Sequence, residues 1–322
     1  MTSSEVKRVA VLGGGGVIGS SWATNFLWKG LSVNVFDVDS ASLKNAQSRI
    51  GGNLKYLADK GILTSDEVLR ALSFATYTSD MEEAVHDVSF IQEASPEKYE
   101  IKQALVAYCD KYAPPDTIFA SSTSGLLITE IARHSSHPER YVGAHPYNPP
   151  HLIPLVEISK GEHTSEEAVS RAREFYRSLG KEPIVLNKEA LGFVANRLSV
   201  ALYREAIDLV MRGVCSVEDI DRAVSYGPGL RYALMGPNLI YHLGGGQYGI
   251  SGILQHIGPS VEHWWADMAD WKTWPEHWGV IAEDGVKEAM KNRLPEQGQT
   301  MEDIIRWRDD GLLDLLKILK KV

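Results

Sequence analysis

Four consecutive glycines, Gly13 to Gly16, with a fifth at Gly19, open the chain's first chemical question. The residues before them, "VKRVAVL", are apolar and β-branched, the pattern of a strand buried on both faces. The residues after them, "VIGSSWATNFLWKG", have helical spacing and close at Gly30. The run therefore sits at a strand-to-helix turn, where only Gly14, Gly16 and Gly19 give the register G-x-G-x-x-G. In that register Gly14 makes the tight turn, Gly16 lets backbone approach a pyrophosphate, and Gly19 lets the helix pack close to the strand. The helix N-terminus then offers free N–H groups and a positive dipole end to the phosphates. A second strand, "LSVNVFDVD", ends in Asp37. A carboxylate there can accept from the ribose hydroxyls of NAD and would repel the 2′-phosphate of NADP. Its competing role is as the N-cap of the next helix.

Three polar clusters follow. "SSTSG" runs from Ser121 to Gly125 at a strand end and contains Ser124. "AHPYNPPHLIPLVEI" carries His145 and Tyr147 at the end of one strand, a proline-rich turn with His151, and Glu157 on the next strand. "GFVANRL" puts Asn196 near the start of a long helix. The C-terminal ends of strands are where open α/β sheets bind ligands.

The elements that must position these groups alternate through the first half. "FATYTS", "VSFIQEAS", "TIFASS", "RYVGAHP", "LVEIS" and "EPIVL" read as strands, interleaved with helical "DMEEAV", "KYEIKQALVAYCDKY", "LLITEIARHS" and "SEEAVSRAREFYRSLG". Thr164 and Glu167 have the spacing of a capping box. The alternation predicts an α/β fold, a Rossmann-like doubly wound parallel sheet over residues 1–187. From 188 to 322 the strand signals thin out. "LGFVANRLSVALYREAIDLVMRG" reads as one long helix with Val194, Leu198 and Leu202 on its apolar face, and Ser216 with Asp219 as a capping box starts another. This half is expected to be all-helical and to serve substrate binding and dimerisation.

Composition removes several alternatives. A net charge of −9 with no long basic run argues against nucleic acid. The two cysteines, Cys109 and Cys215, provide neither a disulfide framework nor metal-ligand spacing, so no metal is expected. No apolar run is long enough to span a bilayer, so no membrane partner is expected. "MTSSEVKRVAVL" passes directly into a strand pattern and does not resemble a leader. These features together point to a reducing cytoplasm.

In order and spacing, "GGGVIGSSWA", "IQEA", "ASSTS", "GAHPYNP", "LVEI" and "GFVANRL" resemble the 3-hydroxyacyl-CoA dehydrogenase superfamily over nearly the whole length. The resemblance implies NAD as cofactor, His145 as the catalytic base, Glu157 as its carboxylate partner, Ser124 and Asn196 as the groups holding the reacting oxygen, and Glu93 as a residue lining the nicotinamide site. It also implies a homodimer. The chemistry agrees: oxidising a secondary alcohol requires removal of its hydroxyl proton, and histidine titrates in the range where it can do so. One departure is Gly13. Members of the superfamily pass from strand straight into the glycine motif, so the extra residue predicts a shifted or bulged strand end.

The second half narrows the substrate. "YGPGLRYALMGP" holds Arg231 where acyl-CoA members tend to lack an arginine, and a guanidinium suits a free carboxylate better than a thioester. In this the chain resembles the branch of the superfamily that acts on small 3-hydroxy acids such as L-carnitine and L-gulonate, and the resemblance implies a substrate of that class. "VEHWWADMADWKTWPEHW" supplies Trp264, Trp265, Trp271, Trp274 and Trp278, with Tyr147 beside His145. Aromatic faces attract a trimethylammonium by about 0.5–2 kcal/mol each. The expected reaction is therefore oxidation of the 3-hydroxyl of L-carnitine, with Arg231, Tyr147 and Trp265 as substrate contacts. The alternatives are L-gulonate or another small 3-hydroxy acid, a short-chain 3-hydroxyacyl-CoA, or a crystallin-like protein that binds NAD without turnover. For any single tryptophan, helix packing is the competing role.

Overall fold

The computed structural model describes residues 6–322; the opening residues read above as carrying no leader lie in part outside the described residues. Contacts group the chain into two compact units, one ending at Asn196 and including Lys321–Val322, the other Arg197–Lys320.

The first unit is built on one sheet of β1 (Arg8–Leu12), β2 (Ser32–Phe36), β3 (Ala75–Thr78), β4 (Phe90–Glu93), β5 (Ile118–Ser121), β6 (Tyr141–Pro146), β7 (Leu155–Lys160) and β8 (Glu182–Val185). Their order across the sheet is β3-β2-β1-β4-β5-β6-β7-β8. Helices α1 (Val17–Trp28), α2 (Ser40–Asp59), α3 (Ser65–Ser73), α4 (Met81–Val85), α5 (Tyr99–Tyr112), α6 (Ile128–Ile131) and α7 (Glu166–Ser178) surround it. Two apolar cores result. One holds Trp22, Phe26, Phe90, Phe175 and Tyr176; the other holds Phe119, Tyr141, Val106 and Ile131. Each fully buried side chain of this size stabilises the fold by roughly 1.5–3 kcal/mol.

All pairings are parallel except β6–β7, which is antiparallel. That departs from the fully parallel sheet expected. The reason is length: residues 147–154 are fewer than the dozen or so a parallel crossover requires. The reversal sets His145 directly opposite Glu157 in the register.

The local signals differ from expectation in three further places. Ser165, not Thr164, caps α7, accepting from the Ala168 amide; Thr164 Oγ1 instead donates to Tyr141 O and accepts from Gly161 N. The helix read from Leu191 starts only at Ala195, because Gly192 (φ 73°) and Phe193 (φ 48°) are left-handed. The helix read over "LLITEIARHS" is confined to α6.

In the second unit, α8 (Ala195–Met211), α9 (Val217–Tyr226), α10 (Pro228–Tyr232), α11 (Pro237–Gly244), α12 (Gly249–Asp267), α13 (Trp278–Lys291) and α14 (Met301–Ile318) form an all-helical body, with α8 beginning at the last residues of the first unit. Ser216 and Asp219 make the expected capping box at α9. Trp278 donates to Tyr203 Oη at 3.1 Å and ties α13 to α8, and Trp274, in the segment before α13, packs on the same ring, so both tryptophans serve packing. Among the described residues no helix is long and apolar enough to cross a membrane, and no cluster of acidic, histidine or cysteine side chains could hold a metal.

Candidate active site

The glycine loop leaves β1 through a bulge. Gly13 N and Gly14 N both donate to Phe36 O, at 3.0 and 2.9 Å. The left-handed residue of the turn is Gly13 (φ 85°), one position before the expected Gly14. A Cβ on Gly13 would lie 2.7 Å from Ala94 O, so the added residue is fixed in place by backbone on two sides. Gly14 packs against Val35 instead, and a Cβ on Gly19 would lie 2.1 Å from Gly13 O. At Gly16 a Cβ would meet only Gly13 O at 3.5 Å, an ordinary contact. The protein itself does not need Gly16 bare; a ligand approaching the loop would. Gly16 is the N-cap of α1, with no side-chain cap and no acidic residue in the first turn. The amide donors of that turn thus fit a pyrophosphate.

Asp37, at the end of β2, accepts from Gly15 N through Oδ2 (2.8 Å) and from Val38 N through Oδ1 (2.8 Å). It is half-buried. The helix-capping alternative falls to Asp39, which accepts from the Ala41 and Ser42 amides at the start of α2. Asp37 therefore stands at the loop with acceptor capacity to spare.

Glu93 ends β4 fully buried. It accepts from Ser95 N and Oγ, Ser121 Oγ and both-oxygen contacts of Lys102 Nζ (2.8 and 3.0 Å). Lys102 is equally buried, so each charge compensates the other. The pair ties β4, β5 and α5 together beneath the strand ends.

His145 and Glu157 meet as the β6–β7 register requires. His145 Nδ1 lies 2.9 Å from Glu157 Oε2. Glu157 Oε1 accepts from Val194 N and Ala195 N, both at 2.9 Å. Burial pushes the Glu157 carboxyl up, but the bonds from His145, Ala195 and Val194 outweigh it and hold its pKa below the usual carboxylate value. An ionised carboxylate only accepts, so Nδ1 carries the imidazole proton and Nε2 is left as an acceptor. Phe193 packs its ring 5.5 Å from that of His145, and Tyr147 lies edge-on at 6.4 Å.

The start of α8, which is the third cluster, links this pair to the first, the serine turn. Asn196 Nδ2 donates to Ser124 O at 3.1 Å. Glu97 Oε1 gathers the serine turn by accepting from Thr123 Oγ1 (2.6 Å), Ser124 N (2.8 Å) and Gly125 N (3.2 Å). His145, Glu157, Tyr147, Asn196 and Ser124 are thus brought together through a continuous set of contacts. Glu97 and Phe193 were not singled out in the sequence. Glu97 has only its place after a strand end to recommend it, and Phe193 is conspicuous only through its backbone. His151 is turned elsewhere: its Nδ1 is 2.7 Å from Ser21 Oγ. Arg231 lies exposed on α10 and makes no ion pair among the described residues, and Trp265 lies exposed on α12.

Residues 8–190 match the model of the 3-hydroxyacyl-CoA dehydrogenase NAD binding domain, and residues 192–277 that of the family's C-terminal domain. The chain belongs to the 3-hydroxyacyl-CoA dehydrogenase family. It is an NAD-dependent oxidoreductase of that family. It is similar to the L-carnitine dehydrogenase of Streptomyces coelicolor, 38% identical over 318 residues that cover 98% of this chain and 96% of the relative. It is also similar to a Pseudomonas L-carnitine dehydrogenase, 39% identical over 317 residues covering 98% and 95%. Among solved structures, an NAD+-dependent 5-formyl-3-hydroxy-2-methylpyridine 4-carboxylic acid 5-dehydrogenase superposes with a TM-score of 0.79 at 31% identity, covering 98% of both chains.

Proposed function

We propose that the protein oxidises the 3-hydroxyl of L-carnitine to 3-dehydrocarnitine. The observation that carries the mechanism is the buried His145–Glu157 pair, whose free imidazole nitrogen is the acceptor an alcohol proton requires. Bound NAD+ would supply the acceptor for the hydride leaving the substrate carbon. His145 Nε2 takes the hydroxyl proton as the carbonyl forms. Glu157 keeps Nδ1 protonated and stabilises the imidazolium that results. The Ser124 hydroxyl and the Asn196 amide hold the reacting oxygen as alcohol and as carbonyl. Gly16 and the first amides of α1 receive the pyrophosphate, Gly14 shapes the turn and Gly19 lets α1 approach it; Asp37 accepts from the ribose hydroxyls, and Glu93 with Lys102 stiffens the floor of the nicotinamide site.

The substrate reading rests on the near-full-length likeness to L-carnitine dehydrogenases and on Arg231, an exposed guanidinium with no carboxylate partner among the described residues. Arg231 is assigned to the substrate carboxylate. Tyr147 and Trp265 are assigned to the trimethylammonium. The likeness to the pyridine carboxylic acid dehydrogenase favours, as second reading, another small carboxylate-bearing substrate. A homodimer in the cytoplasm completes the proposal.

The test offers purified protein NAD+ with L-carnitine, D-carnitine, L-gulonate and 3-hydroxybutyryl-CoA in parallel, following NADH. Selective turnover of L-carnitine is expected. Turnover of gulonate or of the CoA ester instead would overturn the substrate assignment, and NADH binding without any turnover would favour the crystallin-like class.

A further inference from the structure

The connection between β6 and β7, residues 147–154, runs against the rule that connections lie on the surface. Pro149, Pro150, His151 and Leu152 are all buried. A buried connection must find partners for its own backbone groups. Leu152 N and Ile153 N turn back on Pro149 O, at 3.0 and 2.9 Å. Glu182 N donates to Pro154 O at 2.8 Å, and two side-chain anchors from outside the hairpin serve His151 N, Pro150 O and Ile153 O. Ser21 Oγ accepts from His151 N at 2.9 Å and lies 2.7 Å from His151 Nδ1. The hydroxyl and Nδ1 share one hydrogen bond, whose direction follows the tautomer of the ring. Lys181, just before β8, donates from Nζ to Pro150 O and to Ile153 O (3.2 Å), with Nζ 5.5 Å from the Trp22 ring centroid. Ser21 and Trp22 belong to α1, the helix that leaves the glycine loop.

Lys181 is buried and has no carboxylate partner among the described residues. Such a group is costly, and it persists where it satisfies something else. Here it satisfies the carbonyls of the segment joining the strands of His145 and Glu157. We propose that Lys181 and the Ser21–His151 pair are positioning residues that pin the β6–β7 connection onto α1 and so hold His145 and Glu157 in reactive register. The inference rests on His145 being the base. Without the anchors, Pro150 O and Ile153 O lose their donor and the segment opens to water. A displacement of about 1 Å at a catalytic group costs roughly 10²-fold in rate.

Three variants test this. Lys181→Met keeps the stem and removes the donor. His151→Leu removes the hydrogen-bonding partner of Ser21 Oγ, and His151→Asn puts a side-chain amide in its place. Each is measured for kcat with L-carnitine and NAD+, for KM, for NADH Kd by tryptophan fluorescence, and for amide hydrogen exchange over residues 147–154. Lys181→Met and His151→Leu are expected to speed exchange in that segment about tenfold or more. They should lower kcat by roughly 10–10²-fold with KM and NADH Kd little changed. His151→Asn should recover most of kcat. Faster exchange without loss of kcat would make the anchors merely structural and overturn the proposal, as would unchanged exchange. If Lys181→Met does not fold, the two His151 variants decide alone. If the wild type does not turn over L-carnitine the substrate reading fails, and kcat of the same variants is read with L-gulonate or 3-hydroxybutyryl-CoA, where loosened exchange without loss of kcat still overturns the proposal.

Discussion

Glu157→Gln separates charge from shape at the proposed site. The glutamine carbonyl can still accept from Val194 N and Ala195 N, which now bond Glu157 Oε1 at 2.9 Å each, so the start of α8 should stay in place. The other half of the group changes sign. Where Glu157 Oε2 accepts from His145 Nδ1 at 2.9 Å, the amide NH2 can only donate. Nδ1 must then become the acceptor, the proton moves to Nε2, and the nitrogen meant to take the substrate's proton is blocked. The imidazolium also loses its buried counter-charge. General-base catalysis contributes typically 10²–10⁴-fold, so kcat should fall by about that factor, or about 3–5 kcal/mol in the barrier. NADH affinity should not change, because Glu157 makes no contact with the glycine loop. The assay is initial-rate NADH formation with L-carnitine, beside a fluorescence titration with NADH. A Glu157→Gln enzyme with near-wild-type kcat would refute the reasoning, since no tautomer compatible with that amide leaves Nε2 free.

Gly16 and Gly19 should part company when each is changed to alanine. Gly19→Ala drives its Cβ into Gly13 O and should cost stability by about 1–3 kcal/mol in urea unfolding, whereas Gly16→Ala should leave stability alone and weaken NADH binding. Asp37→Ala should cut the preference for NAD over NADP by about 10–10²-fold in kcat/KM, the worth of hydrogen bonds to a charged acceptor, and an unchanged ratio would remove its ribose role. Arg231→Ala should raise KM for carboxylate substrates by a similar factor; an unchanged KM would make the arginine structural. Lys181 has a pKa brought down to about 7, by burial first and by the charge of Lys29 second. Its unfolded value is near 10.5, so above pH 7 the unfolded chain binds more protons and stability rises with pH through that window. The stability of wild type relative to Lys181→Met should therefore rise between pH 7 and pH 10, by up to about 1.4 kcal/mol per pH unit, and a flat difference would mean that Lys181 does not change protonation on folding.

Much of the frame was legible because it depends on local pattern. Each short β-branched run between turn signals became a strand, and the glycine run sat at the strand-to-helix turn its spacing requires. The pairing of His145 with Glu157 was legible as an expectation of the resemblance, and the length of the connection already carried its geometric cause, since residues 147–154 are too few for a parallel return. The sequence was misleading where several residues compete for one local role. Thr164 and Ser165 both suit an N-cap, and Asp37 and Asp39 both follow β2. In each case tertiary partners decide: Tyr141 O takes the Thr164 hydroxyl, and Gly15 N takes the Asp37 carboxylate.

What no pattern could give is the conformation of Phe193. A phenylalanine in a helical run reads as helix, yet its φ of 48° is a region that bulky residues avoid, at a cost of order 1–3 kcal/mol. The benefit lies in two partners distant in sequence. The turn through Gly192 and Phe193 delivers two consecutive amides to Glu157 Oε1, and the Phe193 ring comes to rest against His145. Helix start, carboxylate and imidazole therefore form one hydrogen-bonded and packed unit. A glycine at 193 would relieve the backbone but leave His145 without that ring, so the strain is the consequence of asking one residue both to turn the chain and to cover the base.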